Sequence, residues 1–194
     1  MSENAITLDG RPGVDRRVKR TRDLLAEALM SLGAEGDIDA LGVGDLADEA
    51  GISRSTFYQH FASKDDFLVR SFVEMLGATE AAYAAHYPQR TDILPSRPLF
   101  VHVAGAADFV RSLIRSEIYH RQMQAGEAKL RSIAEANLQR RMPQWSVEHR
   151  KEAAVFIAAG FIGLLRWWME SGMKRTPDEM QAAFRRLTES VLGS

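Results

Sequence analysis

Apolar residues recur at α-helical spacing along almost the whole chain, and this periodicity is the strongest constraint on its fold. In the first helical stretch four apolar residues share one face: Leu25, Ala28, Leu29 and Leu32. Such spacing gives a helix with one buried stripe. Glycines mark helix ends, and a capping box with proline at the first helical position marks a helix start at Thr176–Glu179. The alternation typical of β-strands is absent from the sequence, which predicts an all-α fold.

These signals place eight helical segments. They span about residues 16–34, 43–50, 53–61, 63–85, 100–115, 117–141, 146–171 and 176–192. The segment 87–98 contains three prolines and is predicted to be a loop. We expect a flexible tail at 1–14 and a three-helix head with a helix-turn-helix at 15–62. A long fourth helix then leads into a C-terminal helical bundle at 63–194.

The composition limits the function classes. The chain has no cysteine, which excludes disulfides, thiolate zinc sites and cysteine nucleophiles. The first 15 residues are polar and lack the apolar core of a secretory signal. The longest apolar-rich run, 153–165, has 13 residues, fewer than the roughly 18–20 that a membrane span needs. We therefore expect a cytoplasmic protein that has no membrane partner.

Two short helices joined by Gly51 and Ile52 predict a helix-turn-helix, which needs a tight, glycine-containing turn between steeply crossed helices. Ala47 and Ala50 are small enough to let the two backbones approach, and Phe57 supplies a buried side chain. The other face of the second helix is polar and free of acids: Ser53, Arg54, Ser55, Thr56, Tyr58, Gln59 and His60. Such a face suits a major groove edged by phosphates.

Residues 45–68 resemble the N-terminal signature of the TetR family of transcriptional regulators. The matching positions are Leu46, Ala47, Ala50, Gly51, Thr56, Tyr58, His60, Phe61, Ser63 and Lys64. The resemblance covers about residues 16–68 well and residues 160–179 more loosely. It implies contacts to DNA phosphates by Thr56, Tyr58 and Lys64. It implies contacts to bases or to the DNA backbone by Arg54, Ser55, Gln59 and His60.

The charge distribution is less typical of a DNA-binding head. In residues 1–70, nine Lys and Arg stand against thirteen Asp and Glu, a formal net charge of –4, although five of the nine cations lie in Arg16–Arg22. Where the family often has serine or threonine opening the second helix, this chain has Gly42, Val43 and Gly44, so a hydroxyl is missing.

Among the side chains of the third helix, Arg54 is suited to a bidentate contact with guanine and Gln59 to a contact with adenine. The predicted DNA-binding residues are Arg16, Arg17, Arg20, Gly42, Val43, Gly44, Ser53, Arg54, Ser55, Thr56, Tyr58, Gln59, His60 and Lys64.

The segment 153–169 is apolar nearly all round, which is typical of a central core helix. Its small residues also allow close packing against a second copy, and with the last helix it would form a two-fold four-helix interface. The predicted interface residues are Ala159, Gly160, Gly163, Leu164, Trp168, Phe184, Leu187 and Val191. A dimer would hold two DNA-binding heads about 34–36 Å apart, which matches a palindromic operator in double-stranded DNA.

The resemblance also implies a pocket for a small-molecule effector among the bundle helices. Aromatic and methionine side chains are its candidate lining residues, and each of them is equally compatible with ordinary core packing: Phe72, Met75, Phe100, Phe109, Tyr119, Met123, Trp145, Phe156 and Trp167. The sequence does not specify which molecule binds.

These observations predict a homodimeric DNA-binding regulator whose operator binding responds to an effector. The resemblance implies a repressor, since repression is the usual role in the family. No cofactor, metal site or enzymatic activity is expected. One alternative is a small helical enzyme with a vestigial head, but the sequence offers no convincing catalytic constellation. The carboxylate–imidazole pairs Glu117–His120 and His149–Glu152 have a spacing that is common by chance. A second alternative is an adaptor that binds a protein through residues 153–169.

Overall fold

The computed structural model describes residues 12–193, and within that range the chain forms nine α-helices and no β-strand. The helices are α1 (Pro12–Glu35), α2 (Val43–Glu49), α3 (Arg54–His60), α4 (Lys64–His86), α5 (Ser96–Gly105), α6 (Ala107–Arg115), α7 (Tyr119–Arg141), α8 (Val147–Glu170) and α9 (Pro177–Leu192). The prediction of an all-α fold is confirmed.

Three helix boundaries differ from the prediction. The single helix expected at 100–115 is two helices, because the backbone leaves the helical region at Ala106 (φ –110°, ψ 29°). Helix α5 begins inside the proline-rich segment, and Pro98 is tolerated there because first-turn amides have no partner within a helix. Helix α1 begins at Pro12, so residues 12–14 are helical rather than part of a tail. Residues 1–11 of the predicted tail lie outside the described part of the chain.

Two hydrophobic clusters hold the helices together. We call the first the head cluster; it consists of Leu25, Ala28, Leu29, Ile38, Leu46, Ala50, Phe57, Phe61, Phe67, Leu68, Leu113 and Ile118. The second, the bundle cluster, is built from α4, α5 and the later helices around fully buried residues such as Phe100, Leu130 and Phe161. Because Leu113 and Ile118 follow the head in sequence but belong to its cluster, the head and bundle share apolar packing.

Polar contacts fasten α1 and the following loop to α6 and the turn after it. The hydroxyl of Ser112 donates to the Gly36 carbonyl (2.7 Å), and the amide of Glu117 donates to the Asp39 carboxylate (3.0 Å). Gly33 lies against the ring of Phe109, where an added Cβ would be 2.7 Å from Cδ2. The head is therefore attached to the bundle through α6 as well as through α4.

A buried polar network joins the C-terminal part of α4, the α4–α5 loop and α7. Arg90 forms a two-pronged ion pair with Glu80. Asn137, which is 3% exposed, donates to Glu80 (3.1 Å) and to the Ile93 carbonyl (2.8 Å). Tyr83 donates to Asp92 (2.8 Å). Since the buried Asn137 and its partly buried neighbours all have partners, the network fixes the loop without the penalty of isolated polar atoms.

Helix α8 has the length and apolar composition to cross a membrane, and within the described residues it alone meets that criterion. Half of the most apolar 18-residue stretch of this helix is buried inside the protein. Phe161 and Ile157, for example, are fully buried. Core helices of water-soluble proteins meet the same criterion, so the finding does not indicate a membrane span.

Two residues predicted for the dimer interface lie inside the protomer, which corrects that assignment. Trp168 is 1% exposed, its ring packs edge-on against Phe100, and its Nε1 donates to the Arg175 carbonyl (2.9 Å). Phe184 is 5% exposed and packs against Phe161 (5.2 Å between ring centroids). Both side chains complete the bundle cluster and are not available to a second chain.

The crossing of α4 and α7 gives a test of the packing. A Cβ on Gly126 would lie 2.5 Å from Cε1 of Phe72, so Gly126→Ala overpacks a buried crossing. Overpacking costs about 1–3 kcal/mol, while alanine gains up to about 1 kcal/mol in a helix. We expect a net loss of about 1–2 kcal/mol in the free energy of unfolding, measured by urea denaturation.

Gly77→Ala is the matched control, since its Cβ meets only the flexible end of Lys129 (3.1 Å) across the same pair of helices. This variant should be as stable as the parent or slightly more stable. Adding Phe72→Leu to Gly126→Ala should restore part of the lost stability. Equal stabilities for the two alanine variants would contradict this account of the crossing.

Candidate nucleic-acid interface

Three phenylalanines anchor α3 in the head. Phe57 is fully buried, and its ring centroid lies 5.7 Å from that of Phe61 and 5.9 Å from that of Phe67. Phe61 and Phe67 are 4.9 Å apart. Arg70 lies over the Phe61 ring and donates to the carbonyl of His60 (3.0 Å), which satisfies the C-terminal end of α3. One side of α3 is thereby fixed to the core.

The turn between α2 and α3 has the geometry that a helix-turn-helix requires. Gly51 adopts φ +64°, a left-handed conformation that other residues adopt at a cost. The amide of Ile52 donates to the Ala47 carbonyl (2.9 Å) and closes the turn. Ser53 then caps α3, its hydroxyl accepting from the Thr56 amide (3.1 Å). The sequence signals for this turn and cap correspond to the observed local structure.

The side of α3 opposite Phe57 faces outwards. Tyr58 is 57% exposed, and Arg54, Ser55 and Gln59 are also exposed. Thr56 is half-buried, and its hydroxyl is 2.9 Å from that of Ser53. The outer face therefore presents a guanidinium, an amide, a phenol and hydroxyls, and it carries no acidic side chain.

Gly44 makes room for Arg54. A Cβ at position 44 would collide with Nη2 of Arg54 and lie 2.9 Å from its Cζ, so the guanidinium occupies the space a side chain would need. The glycine that sequence analysis treated as a missing hydroxyl therefore seats the arginine of α3 against α2. Gly42 is exposed and Val43 is half-buried beside it.

The remaining predicted DNA contacts fall into two groups. Arg16, Arg17 and Arg20 are exposed along α1. In contrast, the ammonium of Lys64 donates to the carbonyls of Ile38 and Asp39 (2.9 Å each), so most of its hydrogen-bonding capacity is used within the protein.

His60 is half-buried at the end of α3. Burial, followed by the positive charges of Arg22 and Arg70, holds the pKa of His60 below its ordinary value. The lowered pKa favours the neutral imidazole, which can still form a hydrogen bond.

Family models match most of the chain. The model described as "Bacterial regulatory proteins, tetR family" matches residues 24–70, which include the helix-turn-helix. The model described as "Transcriptional regulator C-terminal region" matches residues 97–190. The chain belongs to the TetR family. The first of these matches spans the helix-turn-helix, so the chain carries the N-terminal domain of that family.

Individual regulators are similar to this chain in sequence or in fold. The regulator AcrR of Shigella flexneri is 25% identical over 129 residues, which are 63% of this chain and 59% of AcrR. The chain thus matches less than two thirds of that relative's length. A TetR regulator from Rhodococcus sp. RHA1 has a similar fold, with a TM-score of 0.63, 15% identity, and coverage of 93% of this chain and 98% of that one. FadR from Bacillus subtilis, solved in complex with stearoyl-CoA, has a TM-score of 0.55 and 17% identity, covering 90% and 97%.

The nine effector candidates do not surround one cavity. Phe72, Met75, Tyr119 and Met123 belong to or pack against the bundle cluster where α4 meets α7. Phe100 lies in the centre of that cluster, Phe109 packs in the head cluster, and Trp145 contacts His149. Phe156 and Trp167 are 60% and 51% exposed on α8, so their assignment to an internal pocket is corrected. The α8 helix turns these two side chains away from the bundle.

The remaining interface candidates lie mostly on one outer face of α8. Ala159, Gly160 and Gly163 are exposed there, and Leu164 is half-buried at the edge. On α9, Leu187 is 55% exposed, and Val191 is half-buried against the bundle cluster. Val155 (46% exposed) and Phe156 (60% exposed) lie on the same outer face, although neither was among the predicted interface residues. Helical spacing from Ala159 and Gly160 was the signal that could have placed both.

The contact between Gly44 and Arg54 generates a prediction. Gly44→Ala should displace the guanidinium, because its Cβ would collide with Nη2, whereas the fold should tolerate the change because the displaced group is the end of a flexible side chain. We expect operator affinity, measured by fluorescence anisotropy, to fall by roughly tenfold, the scale of one lost arginine contact. The free energy of unfolding should change by less than about 1 kcal/mol.

A double-mutant cycle separates this effect from a general disturbance of α2. Arg54→Ala alone should also weaken binding, and Gly44→Ala should cause little further loss in that background. Gly36→Ala is the matched control, since its Cβ meets only the Leu32 carbonyl at 3.4 Å. Fully additive losses for Gly44 and Arg54 would mean that glycine acts independently of the arginine.

Proposed function

We propose that this TetR-family regulator is a homodimeric, cytoplasmic repressor that occupies a palindromic operator and is released by a small-molecule effector. The observation that carries the proposal is the outer face of α3. Arg54, Tyr58 and Gln59 are exposed along α3, while Phe57 on the same helix is fully buried. A helix that enters the major groove needs just such an open polar face with a fixed rotation about its axis.

We assign the base-facing role to Arg54 and Gln59, whose side chains pair bidentately with guanine and adenine. Ser53, Ser55, Thr56 and Tyr58 are assigned to phosphates, to which hydroxyl groups donate readily. Lys64 is committed largely to backbone carbonyls. The exposed arginines of α1 would therefore supply most of the countercharge, and the salt dependence of binding should be modest.

The outer face of α8 supports the proposed dimer. We define the α8 face as Val155, Phe156, Ala159, Gly160, Gly163 and Trp167, all of which are exposed. Large side chains stand at both ends of the face and small ones lie between them, so the surface has two projections and a central depression. A surface of that shape can be complementary to a copy of itself about a two-fold axis. Contiguous exposed apolar groups of this size are typical of interaction sites.

Repression is proposed because it requires no contact other than binding to the operator. A protein that covers an operator blocks transcription by occupancy alone, whereas an activator must also contact the transcription machinery. The helix-turn-helix and a dimer interface suffice for the first mechanism. The regulated genes are left unspecified.

Two polar atoms without partners suggest where the effector acts. Within the described residues, the hydroxyl of Tyr119 and Oε1 of Gln122 are buried and have no hydrogen-bond partner. The two residues are three positions apart on α7 and so share a face. Nε2 of Gln122 donates to the Leu68 carbonyl (2.8 Å), at the point where α4 passes from the head to the bundle. We propose that the effector supplies the missing partners and shifts α4.

The experiment that tests the regulator is selection of bound DNA from a random pool at two salt concentrations. We expect an enriched palindrome whose half-site centres lie about one helical turn or a multiple of it apart. Phe156→Glu places a charge in the α8 face and should convert a dimer into a species of the 21.7 kDa chain mass in light scattering. This variant should also lose operator affinity by at least about a hundredfold, because only one half-site remains bound at a time.

Val101→Glu is the matched control, since Val101 is 45% exposed on α5, outside the α8 face. It should leave both the mass and the operator affinity unchanged. Uniform recovery of DNA sequences would contradict sequence-specific binding. A parent protein that stays monomeric at micromolar concentration would contradict the dimer.

The effector proposal predicts an unusual stability for one tyrosine variant. Tyr119→Phe removes a hydroxyl that makes no hydrogen bond, so the free energy of unfolding should stay the same or rise slightly. In Tyr83→Phe the lost hydroxyl donates to Asp92, so stability should fall by about 1 kcal/mol. Both values follow from urea denaturation without ligand.

The functional half of this test uses compounds that release the operator from the parent protein in a metabolite screen. Their potency should fall by at least about tenfold in Tyr119→Phe and remain unchanged in Tyr83→Phe. Unchanged potency in both variants would remove Tyr119 from the effector site. A large stability loss in Tyr119→Phe would show that its hydroxyl already has a partner.

A further inference from the structure

A cavity of about 730 Å³ lies at the far end of the bundle, away from the Tyr119 region. Its walls come from the α4–α5 loop, the end of α7 and the last turns of α9. Ile93, Leu94 and Phe184 form part of an apolar side, and Thr91, Ser96 and Thr188 contribute hydroxyls. This volume is within the range of about 300–1,000 Å³ that is typical of small-molecule sites.

The loop wall of this cavity is held rigidly. Asn137 donates to the carbonyl of Ile93, and Tyr83 donates to Asp92, so two adjacent lining residues are fixed by side chains that lie outside the cavity. The ion pair between Arg90 and Glu80 attaches the same loop to α4. A site whose walls are fixed before binding loses little conformational entropy when a ligand enters.

Arg141 lines the cavity, and the described residues supply no ion-pair partner for it. Its Nη1 is buried, and within the described residues no acceptor lies within hydrogen-bonding distance of it. The other lining arginine, Arg185, is paired with Glu189 (2.8 Å). A buried guanidinium nitrogen without an acceptor is costly, because it has lost water and gained nothing in exchange. An anion or another strong acceptor in the cavity would supply the missing partner.

The other charged groups restrict that anion. Asp92 and Glu189 offset the charges of Arg141 and Arg185, so the lining has no net positive charge to attract a ligand with several negative charges. Arginine pairs best with a planar carboxylate, to which it donates two parallel hydrogen bonds. We propose that this cavity is a second ligand site that binds a monocarboxylate with an apolar body, its carboxylate on Arg141 and its body against Ile93, Leu94 and Phe184.

The probe for this site is 2-naphthoate, titrated into the full chain at pH 7 by isothermal calorimetry, with uncharged 2-naphthamide as the matched ligand. We expect saturable binding of one naphthoate per chain. Arg141→Gln should raise its Kd by at least about tenfold, the scale of one charged hydrogen bond. Arg131→Gln, at an exposed position of the same helix, should leave the Kd unchanged.

A second variant guards against indirect effects of removing a charge. Thr188→Phe fills the cavity and leaves Arg141 in place, and it should also abolish naphthoate binding. In the unmodified protein, the Kd of 2-naphthamide should be at least as high as the Kd of 2-naphthoate in Arg141→Gln. Absence of naphthoate binding at millimolar concentration, equal Kd values for the parent and Arg141→Gln, or unchanged binding by Thr188→Phe would each overturn the proposal. Operator affinity is measured separately on the same proteins, so failure here is distinguishable from failure of the regulator function.

Discussion

The burial of Phe57 against Phe61 and Phe67 is the contact on which the DNA-facing surface depends. Successive residues of a helix are rotated by about 100°, so fixing Phe57 inwards fixes the direction of every other α3 side chain. Ser55 and Gln59 then point almost directly away from the core. A smaller residue at position 57 would leave a cavity and allow α3 to rotate or tilt. The hydrophobic core of the head therefore determines which polar groups can reach DNA.

The head is attached to the bundle at two places, and this limits how a signal can travel between them. Helix α4 contributes Phe67 and Leu68 to the head cluster and Leu76 to the bundle cluster. Independently, Ser112 and Asp39 hold the end of α1 and its loop against α6 and the turn after it. A rotation of the head about α4 alone would break these second contacts. A change in the spacing of the two heads must therefore move α4 and α6 together. Tyr119 packs against both clusters, so such a movement would change its contacts.

The sequence predicted the local structure well because local structure depends on nearby residues. Ser53 and Gly51 act within one turn of their position, so their roles as a cap and a turn could be inferred without coordinates. Which face of α8 is buried depends instead on long-range packing. Trp167 and Trp168 are adjacent and chemically identical, yet one is half exposed and the other is in the core. Arg141 gave no signal either, because its lack of a partner is a property of the folded neighbourhood.

The contrast between satisfied and unsatisfied polar groups supports a division of labour within the bundle. Burial raises the pKa of both Tyr83 and Tyr119 to about 12, with a further contribution from Asp92 for Tyr83 and from Glu170 for Tyr119. The two hydroxyls differ, however, in whether they have a hydrogen-bond partner. The hydroxyl of Tyr83 belongs to a complete network, which favours one arrangement. The hydroxyl of Tyr119 and the amide oxygen Oε1 of Gln122 lack partners, which leaves about 1–3 kcal/mol each for a ligand to recover. A hundredfold change in occupancy needs about 2.8 kcal/mol, so two such atoms are sufficient for a switch if the ligand finds them in only one state.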